Sequence, residues 1–364
     1  MKILSTLSVI SLAATMATAQ QINPQTFSAQ DARIAYMGRT STATPGRVQF
    51  TYPGVTLIAN FSGTSIAMKA KPGSGYFMAT IDDHEALKVF VGPNDSIVTL
   101  AEALPQGSHH LQLMYAQEGY EQRPYIESLM LDNGSTLLDR PSLPDRRIEF
   151  IGNSITCGYG VEAHSASEHF TYDTENHYYT YAAITARALH AQHHATARSG
   201  IGIYKNYGGP VDGSKGTSMP DKYSLTLFTD SPDIEGLETW NAAHYVPDVI
   251  CVNLGTNDTS LDTYDTKLMK KAYVDFMRRL RNLYPDAKIV MLCGSMMTGK
   301  ALDDCRATLD EAVAQMNDNN IYRFNFTPHN GSLGYGADWH PSLRQQQKMA
   351  DELIPFLRKI TGWQ

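Results

Sequence analysis

The sequence predicts an all-β sandwich followed by an α/β domain with a parallel sheet. Two changes of pattern predict it. Residues 48–138 alternate apolar and polar side chains with period two. From residue 147 onward, short apolar runs alternate with segments of helical spacing. At 364 residues the chain has the length for two cores, and 42 % hydrophobic residues suffice to fill them.

The N-terminal end reads as a targeting segment. Lys2 precedes an apolar run from Ile3 to about Met16, then Ala17-Thr18-Ala19. A short charged region, a short apolar region and an A-x-A site form a secretory signal peptide pattern. Residues 1–19 are therefore expected to be removed, and the mature protein to be secreted. The run is too short to span a bilayer comfortably, so no membrane insertion is expected.

The sandwich is expected over 20–140. Val55, Leu57, Ala59 and Phe61 form one alternating set, and Ile66, Met68 and Ala70 another. Phe77, Ala79 and Ile81 follow, then Leu87, Val89 and Val91, Ile97–Leu100, His110–Tyr115 and Ile126–Leu131. Pro-Gly, Gly-Ser-Gly, Gly-Pro-Asn and Asn-Gly-Ser turns separate them. Residues 141–146, with Pro141 and Pro144, read as the linker.

The second domain is expected over 147–364. Strands are predicted at Arg147–Ile151, Asp248–Leu254, Lys288–Cys293 and Ile321–Phe326. Tyr178, Ala182, Ala186 and Leu189 mark a helix, as do Leu268, Ala272, Phe276 and Leu280. Leu309–Met316 and Met349, Leu353, Phe356 and Ile360 mark two more. Parallel sheets of this kind take ligands at the carboxyl ends of their strands.

Three motifs fall at those ends. Gly152-Asn153-Ser154-Ile155-Thr156-Cys157-Gly158-Tyr159-Gly160 follows a strand directly, and its glycines permit the tight turn that presents the Ser154 hydroxyl. Gly255-Thr256-Asn257-Asp258 follows another strand; the Asn257 amide either donates to a developing oxyanion or forms an Asx turn. Asp338-Trp339-His340-Pro341-Ser342 precedes the last helix. His340 there is suited to take the Ser154 proton, and Asp338 to hold its imidazole; the bland alternative is a helix-capping loop.

Together these motifs resemble the SGNH hydrolase superfamily, the GDSL-type esterases. Gly200, in Arg198-Ser199-Gly200-Ile201-Gly202, matches that superfamily's glycine block. The resemblance implies an oxyanion hole of Ser154 N–H, Gly200 N–H and the Asn257 side chain. With a sandwich ahead of "GNSITCGYG", "SGIGIYKNYGG", "NLGTND" and "DWHPS", the chain is more narrowly similar to carbohydrate esterase family 2. That similarity implies removal of O-acetyl groups from plant polysaccharides such as xylan and glucomannan, leaning towards the primary 6-OH. It implies no cofactor. The wider superfamily places its acid three residues before the histidine, where this chain has Ala337. In family 2 the acid can stand two before, as Asp338 does, and some members use a Ser–His dyad with a backbone carbonyl as orienter. An esterase of longer acyl chains in the same superfamily and a non-catalytic carbohydrate-binding protein are the competing readings.

Other residues carry less. Trp339, Tyr204 and Tyr207 flank the motifs and are candidates to stack on sugar rings. The adjacent pairs His109-His110 and His193-His194 lie in predicted strands, where neighbours face opposite ways, so no metal site is expected there. His164, His169 and His177 read as a surface loop. Asp82-Asp83 and Asp303-Asp304 read as turns and exposed caps. Of the four cysteines, Cys251 and Cys293 sit in apolar strands, and a Cys293–Cys305 bridge is open. The net charge of −7, with no basic run, argues against a nucleic-acid partner.

Overall fold

The computed structural model describes residues 24–364. The expected signal peptide lies outside the described residues.

Among the described residues, ten strands build the first domain: β1 (Gln25–Ser28), β2 (Ala35–Met37), β3 (Val48–Gln49), β4 (Thr56–Gly63), β5 (Ile66–Ala70), β6 (Gly75–Ile81), β7 (Leu87–Val91), β8 (Ile97–Ala101), β9 (Gly107–Tyr115) and β10 (Tyr125–Leu131). They form two five-stranded antiparallel sheets. One runs β1-β10-β5-β8 with β3 also on β10; the other runs β2-β4-β9-β6-β7. The alternation seen in the sequence decides which side chains turn inward. Leu57, Phe61, Met68, Phe77, Leu113, Tyr115 and Leu129 meet between the sheets as one buried cluster. The two histidines of β9 split as strand geometry requires. His109 turns to Asp82 and His110 to Asn60.

The second domain opens with β11 (Arg146–Gly152), α1 (Ser154–Cys157), α2 (Tyr181–Ala188), β12 (Ala191–Ala197) and α3 (Met219–Lys222). It continues with β13 (Val249–Asn253), α4 (Thr266–Leu283), β14 (Lys288–Cys293), α5 (Gly299–Met316), β15 (Ile321–Asn325) and α6 (Leu343–Thr361). The five strands are all parallel, in the order β12-β11-β13-β14-β15. Ile148 and Phe150 of β11 pack with Ala182 and Ala186 of α2 and Leu353 of α6. Ile151 joins Val252, Tyr273 of α4 and Leu309 of α5 on the other face. Both faces are thus covered, as a parallel sheet needs.

Three expectations change. Helix α5 begins at Gly299, a full two turns before the Leu309–Met316 stretch, because Leu302 and Cys305 extend the same buried face. Asp303 and Asp304 therefore lie in a helix rather than a turn; Asp304 pairs with Lys300 one turn earlier and accepts from Tyr264. His177 is fully buried, its Nδ1 2.8 Å from the Thr156 carbonyl oxygen and its ring stacked on His193. The apolar surroundings push its imidazole down to about 4. All four cysteines are free and buried.

Candidate active site

The site forms where the sheet changes direction. The chain passes from β11 to β12 on one side, then crosses to β13 on the other. Such switch points open a crevice at the carboxyl ends of the strands. Ser154 follows β11, Gly200 follows β12 and Asn257 follows β13, so Ser154 stands between the other two.

Ser154 heads α1 because Asn153 caps it. The Asn153 side chain accepts from Ile155 N–H at 3.1 Å and its carbonyl from Thr156 and Cys157 N–H. His340 comes from the loop before α6. Its Nε2 lies 2.8 Å from Ser154 Oγ, and its Nδ1 lies 3.1 Å from the Ala337 carbonyl oxygen. A carbonyl only accepts, so Nδ1 carries the proton and Nε2 presents a lone pair to the serine hydroxyl. Burial pushes the imidazole down to about 4, so it is neutral and basic above that pH.

Asp338 does not orient His340. This corrects the triad expected from the sequence. Asp338 has a left-handed backbone, φ 48°, which turns its carboxylate away from Nδ1. Its Oδ2 accepts from Tyr159 OH at 2.8 Å and Phe170 N–H at 3.0 Å, and its Oδ1 lies 3.0 Å from His169 Nδ1. Burial works against the ionised carboxyl, but the bonds from Tyr159, His169 and Phe170 prevail and hold it below the usual range. The loop's shape depends on Gly160. Ala337 N–H donates to the Gly160 carbonyl, and a side chain at Gly160 would come within 2.3 Å of the Ala337 Cβ.

The donors converge on one cavity of about 510 Å³, lined by Ser154, Gly200, Asn257, Tyr159, Tyr207 and His340 among others. Asn257 Nδ2 gives one N–H to the Ile201 carbonyl at 2.8 Å, which leaves its second for the cavity. Ser154 N–H and Gly200 N–H have no protein acceptor among the described residues.

The aromatic candidates separate. Tyr207 lines the cavity and is 64 % exposed. Trp339 stands beside it, 62 % exposed, its ring edge-to-face with Tyr335 at 5.1 Å. Tyr204 is not in the site. Its ring is buried and its hydroxyl accepts from Asp265 N–H at 2.7 Å, because Asp258 draws the Ile203–Lys205 backbone inward. That carboxylate, fully buried, takes N–H groups from Ile203, Tyr204, Lys205 and Gly255 and so ties the Gly200 loop to the Asn257 loop.

Sequence reasoning missed Tyr159. Its ring stacks on His340 at 4.0 Å and on Phe170 at 4.3 Å, making a three-ring pile behind the base. The signal was its place in the serine motif, two residues past Cys157. It also missed Asp258 as a brace. Glu118, Cys157 and Glu175 form a buried group whose potential ligand atoms lie within 4.8 Å of one another. Both Glu118 oxygens accept from Ser199, one from its N–H and one from its hydroxyl.

Comparison with known proteins fits this geometry. The family model described as Carbohydrate esterase 2 N-terminal matches residues 36–141, and that of the GDSL-like Lipase/Acylhydrolase family matches residues 150–348. The structure of a family two carbohydrate esterase from Clostridium thermocellum in complex with cellohexaose superposes with a TM-score of 0.84. It is 36 % identical, over 91 % of this chain and 100 % of that one. The chain belongs to carbohydrate esterase family 2. The family is one of carboxylic ester hydrolases. Among curated relatives, the cellulase/esterase CelE of Acetivibrio thermocellus is 38 % identical over 91 % of this chain, and this chain spans 40 % of its length. An acetylxylan esterase / glucomannan deacetylase of Cellvibrio japonicus is 28 % identical, over 93 % of this chain and 92 % of that protein. No helix among the described residues is long and apolar enough to cross a membrane.

Proposed function

We propose that this family 2 esterase is a secreted enzyme that removes O-acetyl groups from plant polysaccharides such as xylan and glucomannan, favouring 6-O-acetyl. The observation that carries the chemistry is the 2.8 Å contact between His340 Nε2 and Ser154 Oγ, with Nδ1 held by a carbonyl. His340 takes the Ser154 proton as Oγ attacks the acetyl carbonyl carbon. The oxyanion is received by Ser154 N–H, Gly200 N–H and Asn257 Nδ2. The C–O bond to the sugar breaks, and the alkoxide leaves with the proton from His340. Water, deprotonated by the same imidazole, then attacks the acetyl-serine and releases acetate.

The substrate class rests on the relatives named for acetylxylan and glucomannan and on the cavity itself. Tyr207 and Trp339 offer exposed rings at the site, and Ser154, Thr256, Asn257 and Ser260 line the cavity of about 510 Å³, which suits a sugar carrying a short acyl group better than a long chain. Trp339 is held at φ 66° next to Asp338 at φ 48°, two strained positions that cost roughly 1–3 kcal/mol each and that aim the indole outward. The test is product NMR on acetylated glucomannan and acetylated xylan. Loss of the 6-O-acetyl signals first supports the reading. Faster cleavage of long-chain nitrophenyl esters than of the acetate would sink it. Export is tested separately by N-terminal sequencing of the protein recovered outside the cytoplasm, with Gln20 as the expected first residue.

A further inference from the structure

Ser199, the residue before Gly200, is held at every polar atom. Its N–H donates to Glu118 Oε1 at 2.7 Å and its hydroxyl to Glu118 Oε2; its carbonyl accepts from Arg198 Nη1. Glu118 does not belong to the catalytic domain. It lies between β9 and β10 of the sandwich and is buried. Arg198 is braced in turn by Asp230 at 3.0 Å and by the ring of Tyr120, two residues past Glu118.

We propose that Glu118 is a positioning residue for the esterase reaction, through which the sandwich sets the direction of the Gly200 N–H in the oxyanion hole. The peptide bond is planar and trans. Fixing the Ser199 carbonyl therefore fixes the Gly200 N–H, which points the opposite way. Gly200 itself supplies no restraint, since a glycine at φ 79° has no side chain to choose its conformation. Without Glu118, Ser199 N–H and Oγ lose their acceptor, and the Ser199–Gly200 peptide is left to the Arg198 contact on its carbonyl and the turn bond from Ile201 N–H to the Arg198 carbonyl, a weaker hold on the Gly200 N–H direction.

The clamp has a backing. Glu118 N–H donates to Glu175 Oε2 at 3.1 Å, and Glu175 Oε1 is buried with no partner among the described residues. Burial, and then the Glu118 carboxylate beside it, push Glu175 well above the usual carboxyl range. Two adjacent buried carboxyls do not both ionise. A neutral Glu175 thus backs Glu118, accepting its N–H and adding no second charge to the buried group. Cys157, the last residue of the helix that Ser154 heads, completes the group.

This inference rests on the esterase reading, and the test separates the two. In the full chain, Glu118→Ala should lower kcat on nitrophenyl acetate at least about tenfold, with KM within about threefold, because a misplaced donor acts mainly on the transition state. The inhibition constant of an aryl trifluoromethyl ketone, which forms a tetrahedral oxyanion on Ser154, should rise by the same factor as kcat falls. Glu118→Gln keeps an acceptor for Ser199 N–H and should restore kcat to within about fivefold of wild type. Should Glu118→Ala not fold, Glu118→Asp withdraws the carboxylate by one methylene, and the same matched change in kcat and inhibition is expected. A kcat within twofold of wild type, or a kcat loss without the matching inhibition change, would overturn the proposal. If the wild type resists the ketone and Ser154→Ala stays active, the esterase reading has failed, and this inference with it.

Discussion

At the carboxyl edge of the parallel sheet, much of the machinery proposed for the reaction is backbone: Ser154 N–H, Gly200 N–H and the Ala337 carbonyl, with three side chains among them. At the seam between the domains, the buried groups are charged side chains. Arg39, from the sandwich, meets Glu149 of β11 at 3.0 Å, both almost wholly buried. Arg39 also donates to the Tyr223 and Leu225 carbonyls, and Glu149 accepts from Thr196 and Tyr223. Glu118 and Glu175 lie at the same seam. The two regions should answer mutation differently. Truncating a side chain at the edge deletes chemistry and leaves its neighbours solvated or paired. Truncating one at the seam strands a buried charge. The sandwich is therefore a structural half of the esterase rather than an appendage on a linker.

The sharpest break of this comparison is Ser154→Ala. It should lower kcat by at least about 10³-fold, since the members of such a site act as a unit. The melting temperature should stay near wild type, because the substitution removes one hydroxyl and its bond to His340 and leaves the packing around it unchanged. A variant within tenfold of wild-type activity would remove Ser154 as the nucleophile.

The seam gives the mirror image. Arg39→Ala leaves Glu149 buried without its cation, a change that typically costs about 3–5 kcal/mol. Denaturant unfolding should show that loss, while the kcat of the molecules still folded stays within a few-fold of wild type. A stability loss below about 1 kcal/mol would mean that water reaches Glu149 and that the seam is not dry.

How much of this was legible in the sequence follows the same division. The sandwich strands and the parallel sheet were readable because period two and apolar runs follow directly from which faces are buried. That Ser154, Gly200, Asn257 and His340 would gather at one crevice was readable because each sits at a strand end or a helix start in a dense local motif. The seam was invisible. Arg39 and Glu149 are 110 residues apart, and Glu118 and Ser199 are 81 apart, and no local pattern reports such pairings. His177 was misread for the same reason: its loop is polar and Tyr-rich, yet it folds back under the sandwich, where Gly54 packs against its ring. Tyr204 failed differently. Its nearness in sequence to Gly200 was real, but the pull of Asp258 on the backbone turns its ring into the core.

Asn257→Ala sits between the two regions, because that amide serves the cavity and also bonds the Ile201 carbonyl. The expected cost is roughly 10²-fold in kcat with little change in KM, as for loss of one oxyanion donor. Stability should fall by only about 1 kcal/mol, for one hydrogen bond. A change confined to KM would instead place Asn257 on the ground-state sugar.

The smallest effect is expected at Asp338, and it decides between a triad and a dyad. If the carboxylate held the imidazole, Asp338→Ala would free Nδ1, admit the wrong tautomer and approach the inactivity of His340→Ala. The geometry gives that task to the Ala337 carbonyl, 3.1 Å from Nδ1, which the substitution leaves in place. What Asp338 does supply is an acceptor for Tyr159, whose ring backs His340, and a negative charge that favours the imidazolium. Losing the first loosens the pile of rings; losing the second lowers the His340 pKa further. The expected outcome is a fall in kcat of less than about tenfold, and an acid limb of the pH–rate profile that moves down from about 4 rather than up, because the base is active only when neutral. A charge-neutral Asp338→Asn, which keeps an acceptor for Tyr159, should lose less than Asp338→Ala and show the same downward shift. Equal inactivity of the Asp338 and His340 variants would restore the carboxylate as orienter and break the contrast between a backbone-built edge and a charge-built seam.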